Sequence, residues 1–234
     1  MLSVFDLIEA GTLDLDLAAY LMARISRGAS FMVGARPGGA GKTTVMCALL
    51  NLAPVDVDLT AATAEAVWTA SHDDSSVRRC YVCHEIGSGP YFAYLWAADL
   101  RAYCALSERG HMLATNLHAD DIDETRCQVC GENGVPLAHF NAFELLVFLR
   151  VKGGFYSRRR IVDKVYASDG AAPHTLVFDA RCGLHSETVS GHNRHYADWE
   201  SQYRTFLAEA YDAGARTIEE TRQRVVAFLD TCKW

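Results

Sequence analysis

The pattern of apolar and polar positions predicts short strands that alternate with helices through the first half of the chain. Residues 12–27 carry an apolar stripe at helical spacing, have acidic residues in the first turn and end at Gly28. The short apolar run at residues 31–33 predicts a strand, and Lys42–Leu50 predicts a helix. Further strands are predicted at residues 55–59, 80–83 and 112–115, and further helices at residues 61–70 and 91–109.

This alternation indicates an α/β fold with a mostly parallel sheet flanked by helices, because consecutive parallel strands need crossover connections. After about residue 135 the pattern changes. Residues 143–151, 159–166 and 175–178 predict β segments without helices between them, and therefore a small antiparallel addition. We expect one domain, with a nucleotide-binding core at residues 1–135 and a β-hairpin and helical extension at residues 136–234.

Two helices are predicted at the end of the chain. The first carries an aromatic and apolar stripe, and the second opens with the capping box Thr217-Ile218-Glu219-Glu220. The stripe consists of Trp199, Tyr203, Phe206 and Leu207.

Composition narrows the function classes. The 234 residues are 50% hydrophobic and 22% charged, which is typical of a globular chain, and the net charge of −7 argues against a nucleic-acid partner. No apolar run approaches the roughly 18 residues of a membrane span. The amino terminus has no basic region followed by an apolar core, so we expect a cytoplasmic protein.

Residues 30–44 have the order of a phosphate-binding loop: an apolar run, a glycine-rich segment, then Gly41-Lys42-Thr43 at the start of a helix. Glycines let backbone N–H groups turn toward phosphate oxygens, and the helix adds its positive end. Lys42 would neutralise the β- and γ-phosphates of ATP, and the Thr43 hydroxyl would bind Mg²⁺. The predicted cofactor-binding residues are Gly38, Gly39, Ala40, Gly41, Lys42, Thr43 and Thr44.

One position departs from the phosphate-loop pattern. The motif expects its first glycine at position 36, where this chain has Arg36. Either Gly34 serves in a longer loop, or Arg36 occupies the turn in an ordinary backbone conformation.

Two further residues follow predicted strands. A hydrolase needs a carboxylate near the γ-phosphate, and Glu85 comes just after the apolar strand at residues 80–83. His118 follows the next predicted strand, and the carboxyl ends of parallel strands share one edge of a sheet. The alternatives are an exposed glutamate and a histidine that only forms structural hydrogen bonds.

The cysteines and one arginine run leave alternatives open. Two C-x2-C pairs, Cys80 with Cys83 and Cys127 with Cys130, have a ligand count suited to zinc. Residues three apart in a strand point to opposite faces, however, so reduced thiols are the alternative. Residues 158–160, all arginine, predict either the solvated face of a hairpin or an arginine supplied to a neighbouring subunit's nucleotide.

The ordered set of motifs resembles the type II/type IV secretion ATPase superfamily, the ring-forming motors of pilus assembly, retraction and secretion. Residues 6–13 are similar to the family's lead-in, and Glu85-Ile86 is similar to its Walker B sequence Gly-Glu-Ile-Arg. Residues 110–119 are similar to its histidine box, and residues 148–154 with 160–165 to its late β-hairpin. The resemblance covers roughly residues 6–180.

The resemblance implies a RecA-like P-loop ATPase that hydrolyses ATP with Mg²⁺. Lys42, Glu85 and His118 would carry the chemistry, and Asp58 would stand in the family's acidic box. The resemblance also implies a homo-oligomer, a hexameric ring, with peripheral association to inner-membrane secretion or pilus components. Some members carry a tetracysteine zinc site.

The chain departs from the family at several points. His84 replaces the glycine before the Walker B glutamate, Gly87 stands where the arginine is expected, and Arg36 breaks the loop pattern. The family's separate amino-terminal domain is not expected in a chain that begins about 30 residues before its phosphate loop. These departures leave a nucleotide-binding adaptor without turnover as one alternative. A P-loop small-molecule kinase is the other, because such kinases share the phosphate loop and have a comparable size.

Overall fold

The computed structural model describes residues 1–73, 75, 77–154, 158–185 and 196–232, with the backbone alone at 196–200. Within them the strands are β1 Phe31–Gly34, β2 Asp58–Ala61, β3 Arg79–Ile86, β4 Tyr94–Leu95, β5 Met112–Leu117, β6 Leu145–Lys152, β7 Arg159–Ala167, β8 Thr175–Asp179 and β9 Gly183–Leu184. These described strands form one nine-stranded sheet in the order β2-β3-β5-β1-β6-β7-β8-β9, with β4 paired to β3.

The sheet is parallel from β2 to β6 and antiparallel from β6 to β9. This confirms the predicted α/β fold with a small antiparallel addition. β6 pairs directly with β1, with Phe31 opposite Leu145. The segments on either side of residue 135 therefore share one sheet.

Helices cover both faces of this sheet. They are α1 Val4–Glu9, α2 Leu15–Ile25, α3 Lys42–Leu50, α4 Ala64–Ser71, α5 Ala97–Ala105, α6 Ile122–Arg126, α7 Leu137–Asn141, α8 Tyr196–Asp212 and α9 Ile218–Thr231. A 3₁₀ helix at Leu106–Arg109 follows α5, and a π-helical turn at Cys127–Glu132 follows α6. None of the described helices is both long and apolar enough to cross a membrane.

The core consists of two apolar clusters, one on each face of the sheet. Along β5, Met112 and Ala114 belong to the cluster under α2 and α3, whereas Leu113 and Leu117 belong to the cluster under α5. This alternation follows from the period of two in a strand. Burial on both faces explains why the central strands read as continuous apolar runs.

The two carboxy-terminal helices pack on the α2 and α3 side of the sheet. Tyr203 of α8 is buried and its hydroxyl lies 3.0 Å from Ser26 Oγ after α2. The predicted capping box is present at the start of α9, with Thr217 and Glu220 bonding reciprocally. Of the predicted stripe on α8, Tyr203 and Leu207 are buried, while the Trp199 side chain lies outside the described residues.

Two predicted elements are wrong. Residues 91–109 do not form one helix, because Tyr94–Leu95 pairs with Glu85–Ile86 as β4 and α5 begins only at Ala97. Ala93 and Ala97 have φ of 54° and 50°, a left-handed conformation that interrupts any helix through them. The strand predicted at residues 55–59 lies instead at Asp58–Ala61, where it forms a largely exposed edge.

Candidate functional site

A cavity of about 750 Å³ lies where the carboxyl ends of β1, β3 and β5 meet. β5 lies between the other two strands, so the segments that follow all three reach one edge of the sheet. The glycine-rich loop after β1, Glu85 of β3 and His118 after β5 all line this cavity. The structure thus brings the glycine-rich loop, Glu85 and His118 together at one edge of the sheet, as the strand pattern predicts.

The glycine-rich loop leads directly into α3. Gly39 and Gly41 have φ of 76° and 96°, values that glycine adopts without a steric cost. Gly41 is the N-cap of α3 and no side chain caps this helix end. The first-turn N–H groups, which have no partner within the helix, lie at the wall of the cavity that Gly38–Val45 lines. Uncapped N–H groups with the helix dipole make an anion-binding site.

Arg36 occupies the turn in an ordinary backbone conformation, since it is not among the described residues with positive φ. Its N–H donates to Asp120 Oδ1 at 2.7 Å, and its carbonyl oxygen lies 3.1 Å from His118 Nδ1. Its guanidinium pairs with Glu124 at 2.7 Å. Residues outside the loop therefore fix the backbone and side chain of Arg36. Gly34 is not needed as the first glycine of a longer loop.

Gly34 has a different role. It lies inside β1, and a Cβ atom there would be 2.7 Å from the Ala119 carbonyl oxygen and 2.8 Å from the Phe148 ring. Such contacts are too short for a real Cβ atom. Glycine is required at this position by the close approach of the backbone after β5 and not by the turn.

Lys42, Glu85 and His118 form a compact group at the mouth of the loop. Lys42 Nζ lies 3.3 Å from Glu85 Oε2 and 3.3 Å from His118 Nδ1. It also donates to the Ala35 carbonyl oxygen at 3.3 Å. His118 Nε2 lies 3.0 Å from Glu85 Oε1, so each Glu85 oxygen faces a different partner. A cation, a carboxylate and an imidazole are thereby gathered beside an uncapped helix end.

The cavity also contains residues that the sequence did not identify. His84 and Tyr94 lie beside Glu85, with their rings 5.5 Å apart in an edge-on arrangement. On another side, Leu2, Leu7 and Ala10 add an apolar wall. The sequence does not place these three residues at the site, because their approach to the loop depends on how α1 packs against α3.

The arginines at 158–160 line the cavity of their own chain. All three are exposed, as expected for a solvated hairpin, and they line the same cavity as the glycine-rich loop. Arg160 Nε donates to the Gly39 carbonyl oxygen at 2.9 Å. The hairpin therefore brings its cations to the glycine loop within one chain.

Asp58, predicted as a second acidic group, does not reach the cavity. It is exposed at the start of β2, and in the register of the sheet it lies opposite Arg79 at the start of β3. Glu85 is six residues further along β3, which is roughly 20 Å at about 3.3 Å per residue. The two carboxylates therefore lie toward opposite ends of the sheet, and Asp58 is not retained as a site residue.

The zinc alternative is not supported. Cys80 and Cys83 belong to apolar clusters on opposite faces of the sheet, and Cys127 and Cys130 lie in the π-helical turn. Among the described residues, no three histidine, cysteine, aspartate or glutamate side chains gather to hold a metal ion. Burial raises the pKa of Cys80 and of Cys83 to about 12, which keeps both thiols protonated.

Comparison with solved structures finds similarity to two ATPases. The VirB11 ATPase of the Brucella suis type IV secretion system, in complex with sulphate, is 17% identical with a TM-score of 0.50, covering 69% of this chain and 53% of that chain. The Legionella pneumophila ATPase DotB is 12% identical with a TM-score of 0.45, covering 81% and 55%. No protein-family profile and no curated protein sequence matches the chain.

At these identities the comparison shows the fold. The chain shares the α/β fold of the VirB11 ATPase over the covered part, which confirms the fold implied by the motif order. The chain spans about half of the length of the VirB11 structure that it matches.

Proposed function

We propose that this chain binds ATP with Mg²⁺ in the cavity and hydrolyses it. One observation carries the proposal: Lys42, Glu85 and His118 come from three separate segments and meet beside the uncapped amino end of α3, with contacts of 3.0 to 3.3 Å. A cation and free N–H groups suit the phosphates, and a carboxylate with an imidazole suits the reacting water.

The phosphates would lie against the first turn of α3 and Lys42. The Thr43 hydroxyl is exposed in the cavity wall, and a hydroxyl oxygen is the kind of hard ligand that Mg²⁺ accepts. Bound Mg²⁺ would supply neutralisation of the charge on the β- and γ-phosphates. The N–H groups of Gly38, Gly39 and Gly41–Thr44 would complete the cradle, whereas the Ala40 N–H donates to the Pro37 carbonyl oxygen at 3.3 Å.

Glu85 would orient the attacking water and accept its proton. Its two oxygens face Lys42 and His118. Phosphate binding would draw Lys42 away, which frees one Glu85 oxygen for water while His118 holds the other. His118 would thereby link the state of the γ-phosphate to the orientation of the carboxylate.

The apolar wall indicates how the nucleotide would lie. Glu85, His84 and Tyr94 occupy the catalytic side, so the base and sugar would extend toward Leu2 and Leu7. Val162 N–H donates to the Thr12 carbonyl oxygen at 2.7 Å, which ties this amino-terminal segment to β7.

The fold shared with VirB11 supports a broader role as a motor ATPase. Together with the motif resemblance it leads us to propose a cytoplasmic homo-oligomer, a hexameric ring, that associates with inner-membrane secretion or pilus components. The chain spans about half of the length of the VirB11 structure. The motor role is therefore proposed from the shared fold and the motif resemblance, whereas the geometry of the site supports ATP hydrolysis.

The test is Mg²⁺-dependent release of phosphate from ATP by the purified chain. We expect Lys42→Ala to lose nucleotide binding and Glu85→Gln to lose turnover. Asp58→Asn removes a carboxylate at the opposite end of the sheet and should leave both unchanged. ATP binding without turnover would favour the adaptor alternative, and phosphate transfer to an acceptor would favour the kinase. A wild-type chain that binds no ATP would refute the proposal.

A further inference from the structure

The arginine at the start of β7 lies along the glycine loop of its own chain. Arg160 Nε donates to the Gly39 carbonyl oxygen at 2.9 Å. A Cβ atom on Gly41 would be only 3.1 Å from Arg160 Cδ, so the side chain passes directly over the residue that caps α3. Arg160 thus bonds to Gly39 and passes beside Gly41, the two glycines of this loop that have positive φ.

The cavity around this contact is lined by more positively than negatively charged side chains. Of the residues described as lining the cavity, Lys42, Arg158, Arg159 and Arg160 are cationic, whereas Glu85 is acidic. Glu85 is already engaged by Lys42 and His118. Among the described residues, the terminal Nη groups of Arg160 have no partner. A cavity with this surplus of positive charge favours a polyanion.

We propose that Arg160 binds the phosphates of the nucleotide held by its own chain. This inference rests on the proposed function and adds a ligand-contacting residue to it. The bond from Nε to Gly39 orients the planar guanidinium and leaves both Nη groups available for paired hydrogen bonds to phosphate oxygens. Arg158 and Arg159, on the same side of the cavity, add to the attraction for the polyphosphate.

A purely structural role is the main competing explanation, because the same bond could serve only to hold the glycine loop. Two variants separate these roles. Arg160→Gln keeps an N–H donor for the Gly39 carbonyl but removes the charge, whereas Arg160→Lys keeps the charge. A matched control is Arg181→Ala, which removes an exposed arginine from the turn before β9 that does not line the cavity.

The first measurement is the affinity for ATP and for inorganic tripolyphosphate by isothermal titration calorimetry. We expect Arg160→Gln to weaken both roughly 10- to 100-fold, the range for a lost hydrogen bond to a charged group. Arg160→Lys should lose less, and Arg181→Ala should match the wild type. Full affinity in Arg160→Gln would overturn the proposal.

The second measurement separates action within one chain from action on a neighbour. Chains carrying Arg160→Gln are mixed with chains carrying Lys42→Ala, and phosphate release is followed after exchange of subunits. An arginine that served a neighbouring site would restore turnover in part of the mixed sites. We expect no recovery above the separate variants, and recovery would refute action within one chain.

The outcomes also separate this inference from the proposed function. Tight ATP binding that depends on Lys42 but not on Arg160 would refute the inference alone. A wild-type chain that binds ATP and tripolyphosphate through Arg160 but releases no phosphate from ATP would refute the ATPase proposal alone. Binding of neither ligand would refute both.

Discussion

Lys42 and Glu85 form an ion pair of 3.3 Å in which both side chains are largely buried, with exposed fractions of 9% and 14%. Within the cavity, the charge of each side chain offsets that of the other. Under the proposed function, phosphate would have to compete with Glu85 for Lys42. This competition would link ligand binding to the release of the carboxylate.

Replacing Glu85 by glutamine should separate binding from hydrolysis. The amide cannot accept the proton of the attacking water, and it competes less strongly for Lys42 than a carboxylate does. We expect ATP affinity at or above that of the wild type and a fall in turnover of about 100-fold or more. Calorimetry and phosphate release measure the two quantities.

The control for this variant is Glu65→Gln, which changes an exposed glutamate on α4 outside the cavity. It should preserve both binding and turnover. Turnover at the wild-type rate in Glu85→Gln would mean that a different group activates water.

Adding one methyl group to Gly34 should destabilise the fold. The new Cβ would meet the Ala119 carbonyl oxygen at 2.7 Å and the Phe148 ring at 2.8 Å, inside a packed sheet. We expect a loss of about 1–3 kcal/mol in the free energy of unfolding. Each kcal/mol lowers the melting temperature by about 2–4 °C for a chain of this size. Thermal unfolding followed by circular dichroism measures the shift.

Gly38→Ala is the matched comparison, because nothing lies within 4 Å of a Cβ atom at that position and its φ is not positive. It should unfold at the wild-type temperature. Equal melting temperatures for Gly34→Ala and Gly38→Ala would show that the backbone after β5 can move aside.

His174 should make stability fall in mild acid. Burial lowers the pKa of His174 below its usual 6.5, and the charge of Arg126 lowers it further. Its Nε2 lies 2.7 Å from the Phe143 carbonyl oxygen, while its buried Nδ1 has no partner in the described structure. Because the unfolded chain binds this proton more readily, the contribution of His174 to stability is complete above about pH 6.5 and is lost as the pH falls below it.

The measurement is the melting temperature between about pH 7.5 and pH 5.5. His174→Gln, which cannot be protonated, should show a shallower decline than the wild type. His72→Gln changes an exposed histidine and should keep the wild-type slope. Identical slopes for all three proteins would assign the acid sensitivity to other groups.

The cysteines should differ sharply in reactivity. With a pKa of about 12, Cys80 and Cys83 are thiolate in roughly one part in ten thousand at pH 8, and both are buried. Cys127 and Cys182 are exposed. We expect iodoacetamide to label the exposed pair in the native protein and the buried pair only after unfolding, as followed by peptide mass spectrometry. Native labelling of Cys80 at the rate of Cys182 would contradict the packing of β3.

Local pattern was sufficient for most of the fold. The helix at Lys42–Leu50 has the predicted bounds, and the central strands were predicted because parallel strands buried on both faces are continuously apolar. The segment at residues 91–109 was not predictable in this way. Its helical period runs through Ala93 and Ala97, two residues whose left-handed backbone leaves no mark in the sequence.

In the candidate site, too, some residues could be predicted from local sequence pattern and others could not. Glu85 and His118 could be inferred to converge because each follows a predicted parallel strand, and the carboxyl ends of parallel strands share an edge. The approach of Arg160 to Gly39 joins residues 121 positions apart, one on β7 and one in the loop after β1, and such a contact is set by the register of the whole sheet. The prediction for Asp58 failed because the strand predicted at residues 55–59 has Asp58 near its carboxyl end, whereas β2 begins at Asp58.

The bonds at Arg36 explain how the glycine loop tolerates a residue with a side chain at its first position. The peptide groups on either side of Arg36 are engaged by Asp120 and His118, from the segment that follows the neighbouring strand. The conformation of this loop is therefore fixed in part by hydrogen bonds from a segment more than eighty residues away, and not by the sequence of the loop alone. A displacement of His118 would shift the Arg36 carbonyl group that it contacts and, through it, the glycines that follow, so His118 and this loop would move as one unit.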